Sequence, residues 1–222
     1  STIRLPASSS AVKFSVESCD DCSVQLDGKV ITETLEIWRC HGVKVHVGVS
    51  PVKTVQVDES SGLELAFARR ALFERLYTSG ARSTVLSFGD APECGGSVDF
   101  DALQHEHASA GTQVSPETDQ FITRLIDGAL LTELIIRLSN DFPTTEREAK
   151  EFELRTRLKH DKPDEVDSPP LAHHGQKRTD SEKKRGRVTS TSMFSPNLLV
   201  VEYRCLRLRR PPFHNSPARV CG

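Results

Sequence analysis

A repeat of about twenty residues constrains the fold of this chain more than any other feature of its sequence. Three copies span residues Phe14–Leu26, Leu35–Val47 and Val55–Phe67, offset by 21 and then 20 residues. In each copy two short stretches alternate between apolar and other residues, and a bend separates them. Alternation with a period of two is typical of a strand with one buried face. Each copy therefore predicts two strands that turn a corner.

Stacking of the copies follows from their size. One unit of two strands cannot bury its apolar face alone, whereas stacked units place equivalent residues about 4.8 Å apart. The bend positions are Cys19, Cys40 and Ser60. We therefore predict an all-β fold, a right-handed parallel β-helix of about four coils with a C-terminal hairpin, followed by a charged helix and a disordered tail.

A fourth, degraded copy is predicted one further period of 20 along the chain. Its residues Tyr77, Gly80 and Val85 would follow Val57, Ser60 and Leu65. Arg75 and Ser87 interrupt the apolar pattern of this copy, as the pattern of a terminal coil can be interrupted.

The alternation also predicts which side chains face the core. One inward row contains Val24, Val45 and Leu65, and another contains Ile37 and Val57. The side chains predicted to face outward are Gln25, Lys44, His46, Gln56 and Glu64.

Two segments are also compatible with helices. Residues 63–78 have apolar residues at helical spacing and good helix formers, but Leu63 and Leu65 are in register with the other coils. Residues 122–136 could form an amphipathic helix broken by Gly128. The pair Asp127-Gly128 between two apolar runs is a strong hairpin signal, which favours two strands here.

Several segments of the sequence resemble a known family. Residues 43–88, with the bend VDESSG at 57–62, are similar to the C-terminal β-helical domain of the cyclase-associated proteins. GGSVDF at 95–100 and the segment 116–134 resemble the closing part of that domain. The resemblance covers about 12–140 and implies a domain that binds actin monomers, preferentially in the ADP form, as a homodimer that exchanges its C-terminal hairpin.

The resemblance and the residues together suggest a partner-binding surface. Arg69 and Arg70 lie where the family has a lysine, and the planar guanidinium group suits an acidic surface such as that of actin. An ordinary solvated pair of arginines is the alternative. The other residues predicted to contact a partner are Lys44, His46, Gln56 and Glu64.

The hairpin is predicted to form the interface of a homodimer. A hairpin of such apolar composition is marginal in water by itself and needs a neighbour, for which a second copy of the chain is suited. The predicted interface residues are Phe121, Leu125, Ile126, Leu130, Leu131 and Leu134.

A sister group, tubulin cofactor C and its relatives, shares the β-helix and the Cys-x-x-Cys bends. Its members use an outward arginine against a GTPase, within a Gln-x-Arg signature that the third coil here lacks. Arg69, Arg70 or Arg82 could take that role. A regulator of tubulin or of a small GTPase is therefore the alternative function, and a non-catalytic scaffold is a third.

Candidate chemistry is sparse. Cys19 and Cys22 have the spacing of half a zinc site, but as bend and inward positions they are more simply small buried residues. His105 and His107 fall in a segment, 101–116, that we predict to be a solvated loop. Phosphate-binding glycine loops and nucleophile motifs were not found, so we predict neither enzymatic activity nor a cofactor.

The remaining sequence differs in charge. Residues 1–153 have a net charge of −10 and residues 154–222 one of +8. Thr144 or Thr145 could cap a charged helix within 141–155, and 156–222 is predicted to be a basic, largely disordered tail with a short strand at 198–204. The run 177–187 could be a nuclear signal or a nucleic-acid patch, although basic tails are common and nucleic acid is not the favoured partner.

Location and compartment are also predicted from composition. The sequence has no apolar run of about 18 residues and no leader at Ser1, which predicts that the chain does not enter a membrane. Its six unevenly spread cysteines fit reduced thiols, so we expect a cytoplasmic protein. The missing initiator methionine indicates a fragment or a processed start.

Overall fold

A computed structural model describes residues 1–160 and 199–204. The strands form two sheets joined by bends, and strands of successive coils pair in parallel within each sheet. This is a parallel β-helix of about four coils, as predicted. The first sheet contains, in spatial order, β1 (Thr2–Leu5), β3 (Ser23–Leu26), β6 (Lys44–Val47), β8 (Ser61–Phe67), β10 (Arg82–Phe88) and β11 (Gly96–Val98). Because β1 pairs with β3, the β-helix begins at Thr2, ahead of the predicted start at residue 12.

The second sheet is longer because a hairpin extends it. Its order is β14 (Pro143–Thr145), β13 (Ala129–Arg137), β12 (Phe121–Ile126), β9 (Arg75–Ser79), β7 (Thr54–Asp58), β5 (Thr34–Trp38), β2 (Ser10–Glu17) and β15 (Leu199–Arg204), with β4 (Lys29–Val30) also beside β2. The strands from β2 to β9 are parallel, and those of the hairpin are antiparallel. Two 3-10 turns, Arg70–Leu72 and Pro92–Cys94, lie in the connections.

The core consists of aligned rows, as the alternation predicted. Val24, Val45 and Leu65 pair in register and are at most 2% exposed. Ile37 and Val57 are paired and buried in the second sheet. The predicted outward side chains are exposed or half-buried, so the strand faces are confirmed.

The corner from the second sheet to the first is a repeated backbone motif. In each corner, one residue with positive φ precedes a pair of residues and another with positive φ follows it. The first residue of that pair is buried. The first column of positive-φ residues contains Ser18, Arg39, Glu59 and Gly80, and the second contains Asp21, Gly42, Gly62 and Ser83. Cys19, Cys40, Ser60 and Ala81 are the buried residues between them. This corner turns the chain without a long loop.

The fourth coil is present, but its predicted register is wrong by one residue. Leu65 pairs with Leu86, and Val57 pairs with Thr78, so the offset is 21 and not 20. Val85 consequently faces outward and is 44% exposed. In this register Arg75 and Ser87 face outward as well and no longer interrupt the pattern.

Both segments with a helical alternative are strands. Residues 63–78 contain the end of β8, a 3-10 turn and most of β9, and residues 122–136 form the hairpin of β12 and β13. Asp127 and Gly128 form its turn, both with positive φ. The β12 strand pairs with β9 of the same chain, which continues the second sheet beyond the last coil.

The segment 101–116, predicted to be a loop, instead contains most of helix α1 (Phe100–Ser109). Asp99 caps this helix, because its Oδ1 accepts the Ala102 N–H at 3.1 Å. Phe100 at its first turn packs with Val114 and Phe121 in a second apolar cluster. The helix thus covers the base of the hairpin.

A second compact unit contains helix α2 (Glu146–His160). The helix is charged, as predicted, and has ion pairs one turn apart such as Arg147–Glu151 at 3.3 Å. It extends five residues beyond the predicted end at 155. The predicted strand at 198–204 corresponds to β15, whereas the basic run 177–187 and most of the predicted disordered tail lie outside the described residues.

Candidate functional site

The residues predicted to bind a partner do not share one face. Lys44 and His46 on β6 and Glu64 on β8 project from the first sheet. Gln56 on β7 projects from the second sheet. Arg69 and Arg70 follow β8, in the connection from the first sheet to the second. The structure therefore brings together three of the six on one face and places the arginines beyond the end of β8.

Most of these side chains have partners within the chain. Lys44 Nζ lies 2.8 Å from Glu64 Oε1, across two neighbouring strands. His46 Nδ1 is 2.8 Å from the Gln25 side-chain amide, and Gln56 donates to Asp58 at 2.6 Å. Exposed pairs of this kind add little stability, so their groups can exchange partners at small cost.

Arg69 and Arg70 differ in their surroundings. The Arg70 backbone N–H donates to Asp90 Oδ1 at 2.7 Å, and its guanidinium Nη1 lies 4.0 Å from Cys94 Sγ. Arg69 is exposed, and its backbone carbonyl accepts the Leu72 N–H at 3.1 Å, but its guanidinium has no ion pair or hydrogen bond among the residues that the structure describes. Of the two, Arg69 is the one available to an outside carboxylate.

The predicted dimer residues are largely engaged by their own chain. Phe121 is fully buried, and its ring centroid lies 6.1 Å from that of Phe100. Leu125 and Leu130 pack against the main core, and Leu134 packs against the second cluster. Ile126 is half-buried, whereas Leu131 is 39% exposed.

An aromatic and acidic pair on the second sheet was not predicted as a site. Trp38 at the end of β5 is 43% exposed, and Asp58 of β7 is directly beside it in register. The Arg39 guanidinium lies 4.6 Å from the centre of the Trp38 ring, and its Nε is 2.9 Å from Glu59 Oε2. The alternation of Leu35 and Ile37 already implied an outward Trp38, but only the register between coils places Asp58 beside it.

The carboxyl group of Asp58 is in an unfavourable environment for its charge. Burial raises its pKa first of all, and the charges of Glu36 and Glu59 raise it further. The hydrogen bond from Gln56 acts in the opposite direction. Asp58 Oδ1 is buried and makes no hydrogen bond, and Asp58 has no ion pair within the described residues.

The cysteines of the bends are core residues, as the repeat indicated. Cys19 and Cys40 are fully buried, and Cys22 is 3% exposed. Burial raises the pKa of the Cys40 thiol, whose Sγ accepts the Cys19 N–H at 3.4 Å. A thiol with a raised pKa has little thiolate at neutral pH and is a poor nucleophile or metal ligand.

The two histidines of the predicted loop lie on α1. Side chains two residues apart on a helix do not face each other, so His105 and His107 are not a ligand pair. The His107 ring packs 5.4 Å from the Phe121 ring. Across residues 1–160 and 199–204, no group of three or more His, Cys, Asp or Glu side chains is arranged to hold a metal ion.

The described helices are all too short or too polar to cross a membrane. No family model, curated protein or solved structure matches this chain.

Proposed function

We propose that this chain is a cytoplasmic, actin-binding β-helical module that regulates the cytoskeleton by binding actin monomers, preferentially in the ADP form. The proposal rests on the resemblance of residues 43–88 and 116–134 to the cyclase-associated proteins. The single structural observation that favours it is the exposed guanidinium of Arg69. This group follows the end of β8 and has no side-chain partner among the described residues.

The proposed contact uses Arg69 as an anchor for a carboxylate of the partner. Arginine is enriched among the residues that contribute most to protein interfaces, because its planar group forms paired hydrogen bonds to carboxylates. The Lys44–Glu64 pair and His46 would form the polar rim. Arg70 would contribute less to the contact, because its guanidinium Nη1 lies 4.0 Å from Cys94 Sγ and its backbone N–H holds Asp90 in the bend.

The test is a binding assay of the full chain with ADP-actin monomers and, in parallel, with tubulin. We expect binding to actin at roughly 10 μM or below and a loss of about ten-fold or more for Arg69→Ala. Arg82→Ala is the matched control, because Arg82 lies at the corner from the second sheet to the first and is paired with Asp101 at 3.0 Å. Binding to tubulin but not to actin would favour the cofactor C-like alternative.

A further inference from the structure

We propose that Trp38 and Asp58 form a second interaction site, which binds an arginine or lysine side chain of a basic segment of a partner protein. This site is on the second sheet and is independent of the actin surface proposed on the first. Its elements are an exposed indole ring and a carboxylate that no cation of the described structure neutralises.

The ring is held in place by its own chain. Arg39 lies over the Trp38 ring, and Glu59 fixes the Arg39 guanidinium at 2.9 Å. Because Arg39 and Glu59 are equivalent positions of adjacent coils, both with positive φ, their backbones are set by the repeated corner. The indole therefore loses little freedom when a ligand binds, which favours affinity.

The distance between the two groups suits a basic side chain. Paired strands are about 4.8 Å apart, so a guanidinium or ammonium over the exposed part of the indole lies next to the Asp58 carboxylate. Oδ1 of this carboxylate is buried, so the cation would share Oδ2 with the Gln56 amide. The methylene stem of the same side chain would cover apolar ring surface. Stacking on an aromatic face and a charge-assisted hydrogen bond are thus satisfied together.

The charges of this face favour a cation over an anion. Lys13 lies 2.6 Å from Glu36, and Arg39 is paired with Glu59, so each of these two cations is already opposite a glutamate. Asp58 has no such partner within the described residues; burial raises its pKa most, and the repulsion of Glu36 and Glu59 raises it further. An arriving cation would relieve that repulsion.

The occupant is a segment of a protein and not a free small cation. Trp38 lies on the open face of a sheet, where a small ligand would bury little area. Contacts along an extended segment are needed to offset the entropy lost on association. Tryptophan is also among the residue types most enriched at the centres of protein interfaces.

Trp38 provides the reporter for the test, since it is the only tryptophan in the sequence. The full chain is titrated with a peptide of alternating arginine and glycine and, separately, with the same peptide in which glutamine replaces arginine. We expect a saturable change in tryptophan fluorescence with the first peptide and none with the second. No change with either peptide would overturn the proposal.

Variants distinguish this site from general attraction between opposite charges. Asp58→Asn should weaken binding of the arginine peptide on the order of ten-fold. Trp38→Leu should weaken it at least as much, and because this variant lacks the fluorescent reporter its affinity is measured by calorimetry. Glu106→Gln removes an exposed carboxylate from helix α1 and should leave the affinity unchanged. Equal losses for Asp58→Asn and Glu106→Gln would refute a specific site. Circular dichroism of each variant verifies that it is folded.

Discussion

At the scale of single residues, Val45 occupies the middle of one core row of the β-helix. It is 2% exposed and lies in register between Val24 and Leu65, which are themselves buried. A side chain here has β-strand neighbours of the core row on both sides and no route to water. The stability of the domain is therefore sensitive to polarity at this residue.

Val45→Asp is expected to unfold the domain. It buries a carboxylate with no partner, at a cost of about 3–5 kcal/mol, which approaches the total stability of an ordinary domain. Thermal and urea denaturation measure the loss. Lys44→Asp introduces the same side chain one residue earlier, on the exposed face, and should cost no more than about 1 kcal/mol plus repulsion from Glu64. The reverse order of effects would mean that the strand faces are inverted.

Asp58 predicts a pH dependence of stability. Its pKa is raised in the folded chain above the usual value of 3.8, so the folded state binds a proton more tightly than the unfolded state. Protonation of Asp58 therefore contributes stability that is fully present below the unfolded pKa and is lost as the pH rises through the folded pKa. Asp58→Asn should remove this contribution, and its stability relative to the native chain should rise from acidic to neutral pH.

Urea denaturation of both proteins at several pH values tests this expectation. Glu64→Gln serves as the control, because it also removes one carboxylate but from an exposed position. A constant difference between Asp58→Asn and the native chain across the acidic range would contradict the prediction.

At the scale of elements, the repeated corner explains how short bends can join the two sheets. Gly62 and Ser83 occupy the same position of adjacent coils, since Ser61 pairs with Arg82, and both have positive φ. A residue with a Cβ atom pays a conformational penalty in this region, which glycine avoids. The corner is thus optimised in one coil and strained in the next.

Replacing Gly62 by a residue with a Cβ atom and replacing Ser83 by glycine should change the stability of the domain in opposite directions. Gly62→Ala is expected to destabilise the domain by about 1–2 kcal/mol, because φ at this residue is +64° although its Cβ would have only an ordinary contact of 3.6 Å. Ser83→Gly should stabilise it by up to about 1 kcal/mol, since its N–H can still donate to Asp99 Oδ2. Differential denaturation measures both, and effects of the same sign would show that φ does not govern this corner.

The elements also show what the sequence alone could predict. The three regular copies were sufficient for the coils, the inward rows and the bend cysteines, because each row repeats the same residue class. The fourth coil was misaligned since Thr78 and Thr84 are buried polar residues, which obscure the alternation. A slip of one residue then exchanges the two faces, as it did for Val85.

The candidate sites could be predicted only in part. The outward positions of Lys44, His46 and Glu64 follow from alternation within one strand. The difference between Arg69 and Arg70 depends on Asp90 and Cys94 in the next coil, and neither contact has a signal in the local sequence. Helix α1 had a detectable signal, the capping residue Asp99, followed by Ala102 and Leu103, but its weak apolar pattern resembled that of a loop.

At the scale of the whole molecule, the ends of the sheets determine how the chain can associate. The hairpin covers the free edge of β9, and β14 in turn pairs with β13 only at Ile135, Ile136 and Arg137. Over 129–134 no described strand pairs with the outer edge of β13. Unpaired edges of apolar strands favour the addition of another strand.

The homodimer predicted from the sequence therefore remains a prediction, and Leu131 is its most direct test. Leu131 lies on β13 within this edge and is 39% exposed. If two hairpins associate about a two-fold axis, Leu131→Lys places two like charges in one interface and should convert a dimer into a monomer. Leu138, which is 37% exposed just beyond the strand, provides the matched control as Leu138→Lys. Light scattering at micromolar concentration measures the mass, and a native chain that is already monomeric, or a dimer that Leu131→Lys leaves intact, would contradict association through this hairpin.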